Sequence, residues 1–202
     1  VSNAGVVATD VTGVGTARGY LAACGYGGDK GIFGFGDTGS YTAATNLVSN
    51  AGVVATDVTG VGTARQDLAA CDYGEDKGIF GFGDSGGYYS VTNLVSNAGV
   101  VATDTTGVGT ARRALAACGY GGDKGIFGFG TTGSLTAVTN LVSNAGVVAT
   151  DVTGVGTARR RVAATQYGYD KGIFGFGTDG SDTGVTNLVS NTGVVGTDVS
   201  GV

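Results

Sequence analysis

The chain repeats itself every 47 residues, and that period constrains its fold more than any other feature. Val-Ser-Asn opens at Val1 and returns at Val48, Val95, Val142 and Val189, with no insertion or deletion between copies. Units this uniform must each meet nearly identical neighbours, so the fold has to be an array of one small supersecondary unit. Read from Gly15, the units run 15–61, 62–108, 109–155 and 156–202. Residues 1–14 are left as a partial unit that restates the end of the others.

The most constant stretch is Asp-Lys-Gly-Ile-Phe-Gly-Phe-Gly, at 29–36, 76–83, 123–130 and 170–177. It is too short for a helix, and too rich in Gly and Phe to favour one. It reads as a buried strand entered from a tight turn. Around it, each unit predicts four short strands. In the first unit these are A over 18–26, B over 31–36, C over 43–50 and D over 53–58. Turn signals separate them, with Gly27-Gly28-Asp29-Lys30 between A and B. Nothing has a helical period. The expected fold class is therefore all-β, and a four-stranded antiparallel unit of this length points to a β-propeller blade. The competing architecture is a β-solenoid, which would need two coils in each unit.

The unit also resembles a kelch-type blade. Ile32-Phe33-Gly34-Phe35-Gly36 stands where that family ends its second strand in a glycine doublet, and Thr16-Ala17-Arg18 where it has its Ala-Arg ending. The resemblance covers the whole chain. It is greatest to kelch-like repeat proteins of bacteriophages and environmental bacteria, whose near-identical blades carry TNLVSN and TGVGTAR. Two features depart from the family pattern. The doublet is broken to Gly-Phe-Gly, and Val53-Val54-Ala55 replaces the usual Trp of the fourth strand. The resemblance implies a propeller that acts by binding, on a virion or as a secreted protein.

Composition narrows the function. Gly makes up 42 of 202 residues, yet 42% of the chain is hydrophobic, too much for a disordered glycine-rich linker. Only 13% is charged and the net charge is -5, so no nucleic-acid partner is expected. No apolar run is long enough for a membrane helix, and no membrane partner is expected. The start at Val1 without Met suggests a processed product or a piece of something longer. His is absent, which removes the usual catalytic base and any Cys-His or Ser-His-Asp set, and no zinc spacing appears. The expectation is a non-enzyme with no cofactor and no metal. Cys24, Cys71 and Cys118 share one slot, filled by Thr165 in the last unit, and read as small buried hydrophobes.

Comparison of the units separates fixed from variable positions. Arg18, Asp29-Lys30, Asp10 and Thr45-Asn46 recur throughout and read as structural: Arg18 satisfying carbonyls, Asp10 a turn bonding its own backbone, Asn46 a link between strands. Variation concentrates at the start of strand A, in the A–B turn and in the loop after strand B. Tyr20, Tyr41, Asp67, Tyr88, Arg113, Leu135, Arg161 and Asp182 form the candidate ligand-binding rim, with Gly28 and Glu75 expected on the opposite face. Drift at exposed sites and a variable recognition surface on a fixed frame are the two explanations. The functional expectation is glycan or cell-surface protein recognition, extracellular or on a virion. The alternative is a purely structural repeat: a fibre, a spacer or a designed symmetric scaffold. The matching ends also suggest self-association or membership of a longer repeat chain.

Overall fold

The computed structural model describes residues 1, 6–7 and 9–201, so residues 2–5 and 8 of the partial unit 1–14, and residue 202, lie outside the described residues. The described chain is all-β. The first unit forms β1 (Ala22–Tyr26), β2 (Lys30–Gly34) and β3 (Thr45–Val48). The second forms β4 (Ala69–Tyr73), β5 (Lys77–Asp84) and β6 (Tyr88–Val95). The third forms β7 (Ala116–Tyr120), β8 (Lys124–Gly128) and β9 (Thr139–Val142), and the fourth β10 (Ala163–Tyr167), β11 (Lys171–Gly175) and β12 (Thr186–Val189). Each unit makes one antiparallel three-stranded sheet in chain order. The register repeats from sheet to sheet, with Cys24 opposite Ile32 and Ile32 opposite Leu47, as Cys71 is opposite Ile79 and Ile79 opposite Leu94. Tyr26 pairs with Lys30, leaving Gly27, Gly28 and Asp29 as the turn, and both glycines take positive φ (61° and 79°).

The sheets have three strands where four were expected. The segment predicted as strand D touches β3 only through single bridges, Val48 with Val54 and Thr45 with Val58. Three steps along β3 thus oppose four along its partner, so the register slips by one residue, as at a bulge. The Asn46 side chain fills the gap. Its Nδ2 donates to the Ala55 carbonyl at 3.1 Å and to Asp57 Oδ1 at 2.8 Å, in place of a backbone ladder. Two other boundaries also differ. Strand A begins at Ala22 rather than Arg18, because Tyr20 adopts positive φ (54°). Strand B stops at Gly34 because Phe35 does the same (64°); only β5 resumes, beyond a bulge between Gly81 and Gly83.

The sheets follow one another in a row that does not close. First strands approach first strands, β1 to β4 to β7 to β10, and each also meets the second strand of the next sheet. The third strands make no comparable contact. The sheets therefore splay from a shared edge. Between them lies an apolar layer in which Phe35 meets Phe80 edge-on at 5.2 Å, Phe82 meets Phe127 at 5.1 Å and Phe129 meets Phe174 at 5.2 Å. Gly81 makes room for the Phe127 ring: a Cβ there would lie 2.8 Å from Phe127 Cζ. The three cysteines are free thiols in this layer. Burial pushes the thiols of Cys24 and Cys71 far above the ordinary value and that of Cys118 up to about 12.

Phe127 is fully buried between sheets, whereas Phe33, its counterpart in the first unit, is 39% exposed. Phe127→Ala is expected to cost about 3–5 kcal/mol and Phe33→Ala well under half of that, measured by denaturant unfolding. Equal costs would place the energetics outside the inter-sheet layer. In the native state the three thiols should react slowly with a disulfide reagent and quickly in denaturant. Native labelling as fast as in denaturant would mean that the layer is open.

Candidate functional site

Every unit is fastened by the same buried arginine. In the second unit Arg65 Nε donates to the Phe82 carbonyl at 2.7 Å, Nη1 to the Thr63 carbonyl at 3.0 Å and Nη2 to Asn93 Oδ1 at 2.7 Å. Its guanidinium carbon lies 4.3 Å from the centre of the Phe35 ring in the preceding unit, and Arg112 and Arg159 stand over Phe82 and Phe129 at 4.1 and 4.2 Å. Burial pulls the Arg65 and Arg112 guanidinium groups down to about 10, so both stay charged at neutral pH. In the third unit Arg112 Nη2 and Asn140 Oδ1, the pair matching Arg65 and Asn93, are both buried without a partner. The residue types are the same there, and nothing in them explains the difference.

Aspartate closes the clasp. Asp104 accepts from Thr63 N and Oγ1, at 3.0 and 2.6 Å, and from Asn93 Nδ2 at 2.8 Å. The equivalent Asp57, Asp151 and Asp198 do the same in their own units. This corrects the reading of the Asp10-type position as a turn bonding its own backbone: the carboxylate ties together segments 41 residues apart. Burial alone would raise the Asp104 and Asp151 carboxyls, but the hydrogen bonds from Thr and Asn outweigh it and hold both below the ordinary value. At Asp57 and Asp198 the threonine hydroxyl is the main cause of the lowering.

The variable positions occupy the two ends of the sheets. At one end, bridges join Gly19 with Asp37 and Asp37 with Tyr41, and the same pairing recurs at Arg113, Thr131 and Leu135 and at Arg160, Thr178 and Asp182. Tyr20, Asp67, Ala114 and Arg161 all take positive φ (52–55°) and form a backbone ladder across the units: Asp67 N donates to Tyr20 O, Ala114 N to Asp67 O and Arg161 N to Ala114 O. Side chains of three units meet on this rim. Tyr41 Oη donates to Asp84 Oδ1 at 3.4 Å, Arg113 lies 3.6 Å from Asp84 and 3.9 Å from Asp67, and it stands over the Tyr88 ring at 5.6 Å. Burial pushes the Asp67 carboxyl up, against the pull of Arg113 and Arg161. Tyr20, Leu135, Arg161 and Asp182 share the rim without bonding one another through their side chains. Tyr20 is 64% exposed.

The opposite end holds what the sequence reading left out of the site. There the A–B turns of all four units line one open cavity of about 840 Å³, bounded by Gly28, Glu75, Gly122, Gln166 and Tyr169. Variation among the units at these positions was the visible signal. Their convergence depends on the splay of the sheets, which the sequence does not display. Among the described residues no group of three His, Cys, Asp or Glu is placed to hold a metal ion.

No protein-family model and no curated protein matches this chain.

Two measurements test the clasp. Asn93→Ala strands the buried Arg65 Nη2 and should cost about 2–4 kcal/mol. A cost near zero would show that Asn93 is not the hub. The lowered folded-state carboxyls of Asp57, Asp104, Asp151 and Asp198 contribute stability above the unfolded-state carboxyl value, near pH 4. That contribution is lost as pH falls through the lower folded-state values. The melting temperature should therefore hold from neutral pH down to about pH 4 and drop below it, and Asp104→Asn should flatten part of the drop.

Proposed function

We propose that the chain is part of a propeller-type repeat protein that works as a non-enzymatic binding module. Its ladder rim would meet a glycan or a glycan-bearing cell-surface protein, a setting outside a cell or on a virion. The observation that carries this reading is the ladder itself. Four equivalent backbone positions are held by the same hydrogen bonds at the same positive φ, yet they bear Tyr20, Asp67, Ala114 and Arg161. Positive φ is costly for residues other than glycine and persists only where the surroundings enforce it. The frame is thus held constant while the displayed group changes. Exposed Tyr20, Tyr41 and Tyr88 offer flat faces for sugar rings, and Asp84 and Arg113 offer hydrogen-bond partners beside them. The shared edge of first strands and the single cavity bordered by four A–B turns support blades arranged about an axis.

A glycan-array screen of the chain tests this reading, with Tyr20→Ala, Tyr41→Ala and Tyr88→Ala combined as the control. All three side chains are at least partly exposed, so the melting temperature should hardly move, while binding should fall roughly tenfold or more. Binding that survives the triple substitution, or no glycan signal at all, overturns it.

A further inference from the structure

We propose that the cavity among the A–B turns is a second binding site, independent of the ladder rim, and that it takes a small ligand bearing a primary ammonium group. Its walls and floor come from three successive units. Asp72 and Glu75 of the second unit border it on one side, Gln166 and Tyr169 of the fourth on the other, and Gly119 and Gly122 of the third lie between them. The open mouth of about 840 Å³ adjoins a recess of about 130 Å³, which has room for the polar head of a ligand.

The space exists because small and large side chains alternate from unit to unit. Equivalent positions read Gly25, Asp72, Gly119, Gln166 and Gly28, Glu75, Gly122, Tyr169. The third unit therefore contributes a bare floor, and a Cβ on Gly122 would meet nothing within 4 Å. Glu75 and Tyr169 hold positive φ (69° and 75°), as Gly28 and Gly122 do (79° and 82°). Glycine takes this conformation without steric cost, while Glu and Tyr keep it only against strain. The two large side chains of this slot thus stand at the cavity where the backbone alone would favour glycine.

The lining selects a cation. Asp72, Glu75 and Asp123 bring three carboxylates against the one ammonium of Lys124. Asp123 is already answered, by Lys124 at 2.6 Å and by Asn144 Nδ2 at 2.9 Å. Among the described residues no Lys or Arg nitrogen comes within 4.0 Å of the Asp72 or Glu75 carboxylate, and Lys77, whose charge Glu75 feels, is bound to Asp76 at 2.8 Å. Asp72 is fixed by Gly25 N at 2.6 Å and adds its charge from the side. Gln166 Nε2 donates to the Tyr169 carbonyl, which leaves Oε1 as an acceptor, 2.6 Å from where a Cβ on Gly119 would sit. A primary ammonium has three N–H donors and no acceptor, so it can bond Glu75 and Gln166 together while the Tyr169 ring lies over it. A metal ion is less well served, since among the described residues no group of three His, Cys, Asp or Glu is placed to hold one.

Titration with paired probes, followed by NMR, tests this. Nα-acetyl-lysinamide and glucosamine carry the free ammonium in two settings, a peptide side chain and an amino sugar, and their amine-acetylated forms lack it. At least one free amine should bind with a millimolar or tighter dissociation constant, its acetylated form roughly tenfold more weakly or worse, and the tighter of the two identifies the source. Glu75→Gly and Tyr169→Gly insert the residue that the same slot carries in the first and third units, so the melting temperature should hardly move. Each should weaken the amine roughly tenfold or more, whereas Tyr20→Ala, Tyr41→Ala and Tyr88→Ala combined, at the opposite end, should leave it unchanged. No binding of either amine up to ~50 mM, acetylated forms that bind as well, a Glu75→Gly variant that binds like the unmodified chain, or loss of the amine in the rim variant overturns the proposal. A glycan signal at the rim is read separately and decides nothing here.

Discussion

The stacking of one unit's arginine on the preceding unit's phenylalanine is the contact on which the rest depends. A guanidinium taken out of water is costly unless its donors are met and its charge is answered. Arg65 satisfies both needs with two carbonyls, one asparagine and a nearby carboxylate, Asp104, 4.0 Å away. Each partner belongs to a different segment of the unit, so folding the unit and solvating the charge are one event. The ring beneath the charge belongs to the neighbour, which couples that event to the next unit. Stability in such an array is shared between units and junctions rather than held in a single core.

The same contact accounts for the break in the Gly-Phe-Gly stretch. Phe35 leaves the strand at positive φ, and this carries its ring into the layer between sheets, against Arg65 on one side and Phe80 on the other. Its carbonyl then accepts from Arg18 Nε at 2.9 Å. A backbone conformation that costs energy on its own is held by two units at once.

Much of the fold was legible in the sequence because the period is strict. Four equal sheets, their antiparallel order and the glycine turn before Lys30 follow from spacing and turn chemistry. The missing fourth strand was not legible, since Asn46 sits in a run that reads as strand and nothing local shows its side chain taking the Ala55 carbonyl. Phe35 misled for a similar reason: an aromatic between glycines reads as extended until the neighbour's arginine is in place. Of the candidate site, the ladder rim could be inferred from where the units differ. The mouth around Glu75, Gln166 and Tyr169 needed the relative tilt of the sheets, a property of packing between units that no single unit encodes.

The ladder through Tyr20, Asp67, Ala114 and Arg161 has a consequence for how such a chain can change over generations. Each rung is held by main-chain atoms, and each junction is built from residues that are nearly the same in every unit. Exchanging the segment 62–108 with 109–155 would reorder the displayed groups while every junction kept its phenylalanine pair and its arginine. The architecture separates the alphabet on its rim from the grammar of its packing, so new words can be composed by recombination without the core being relearned.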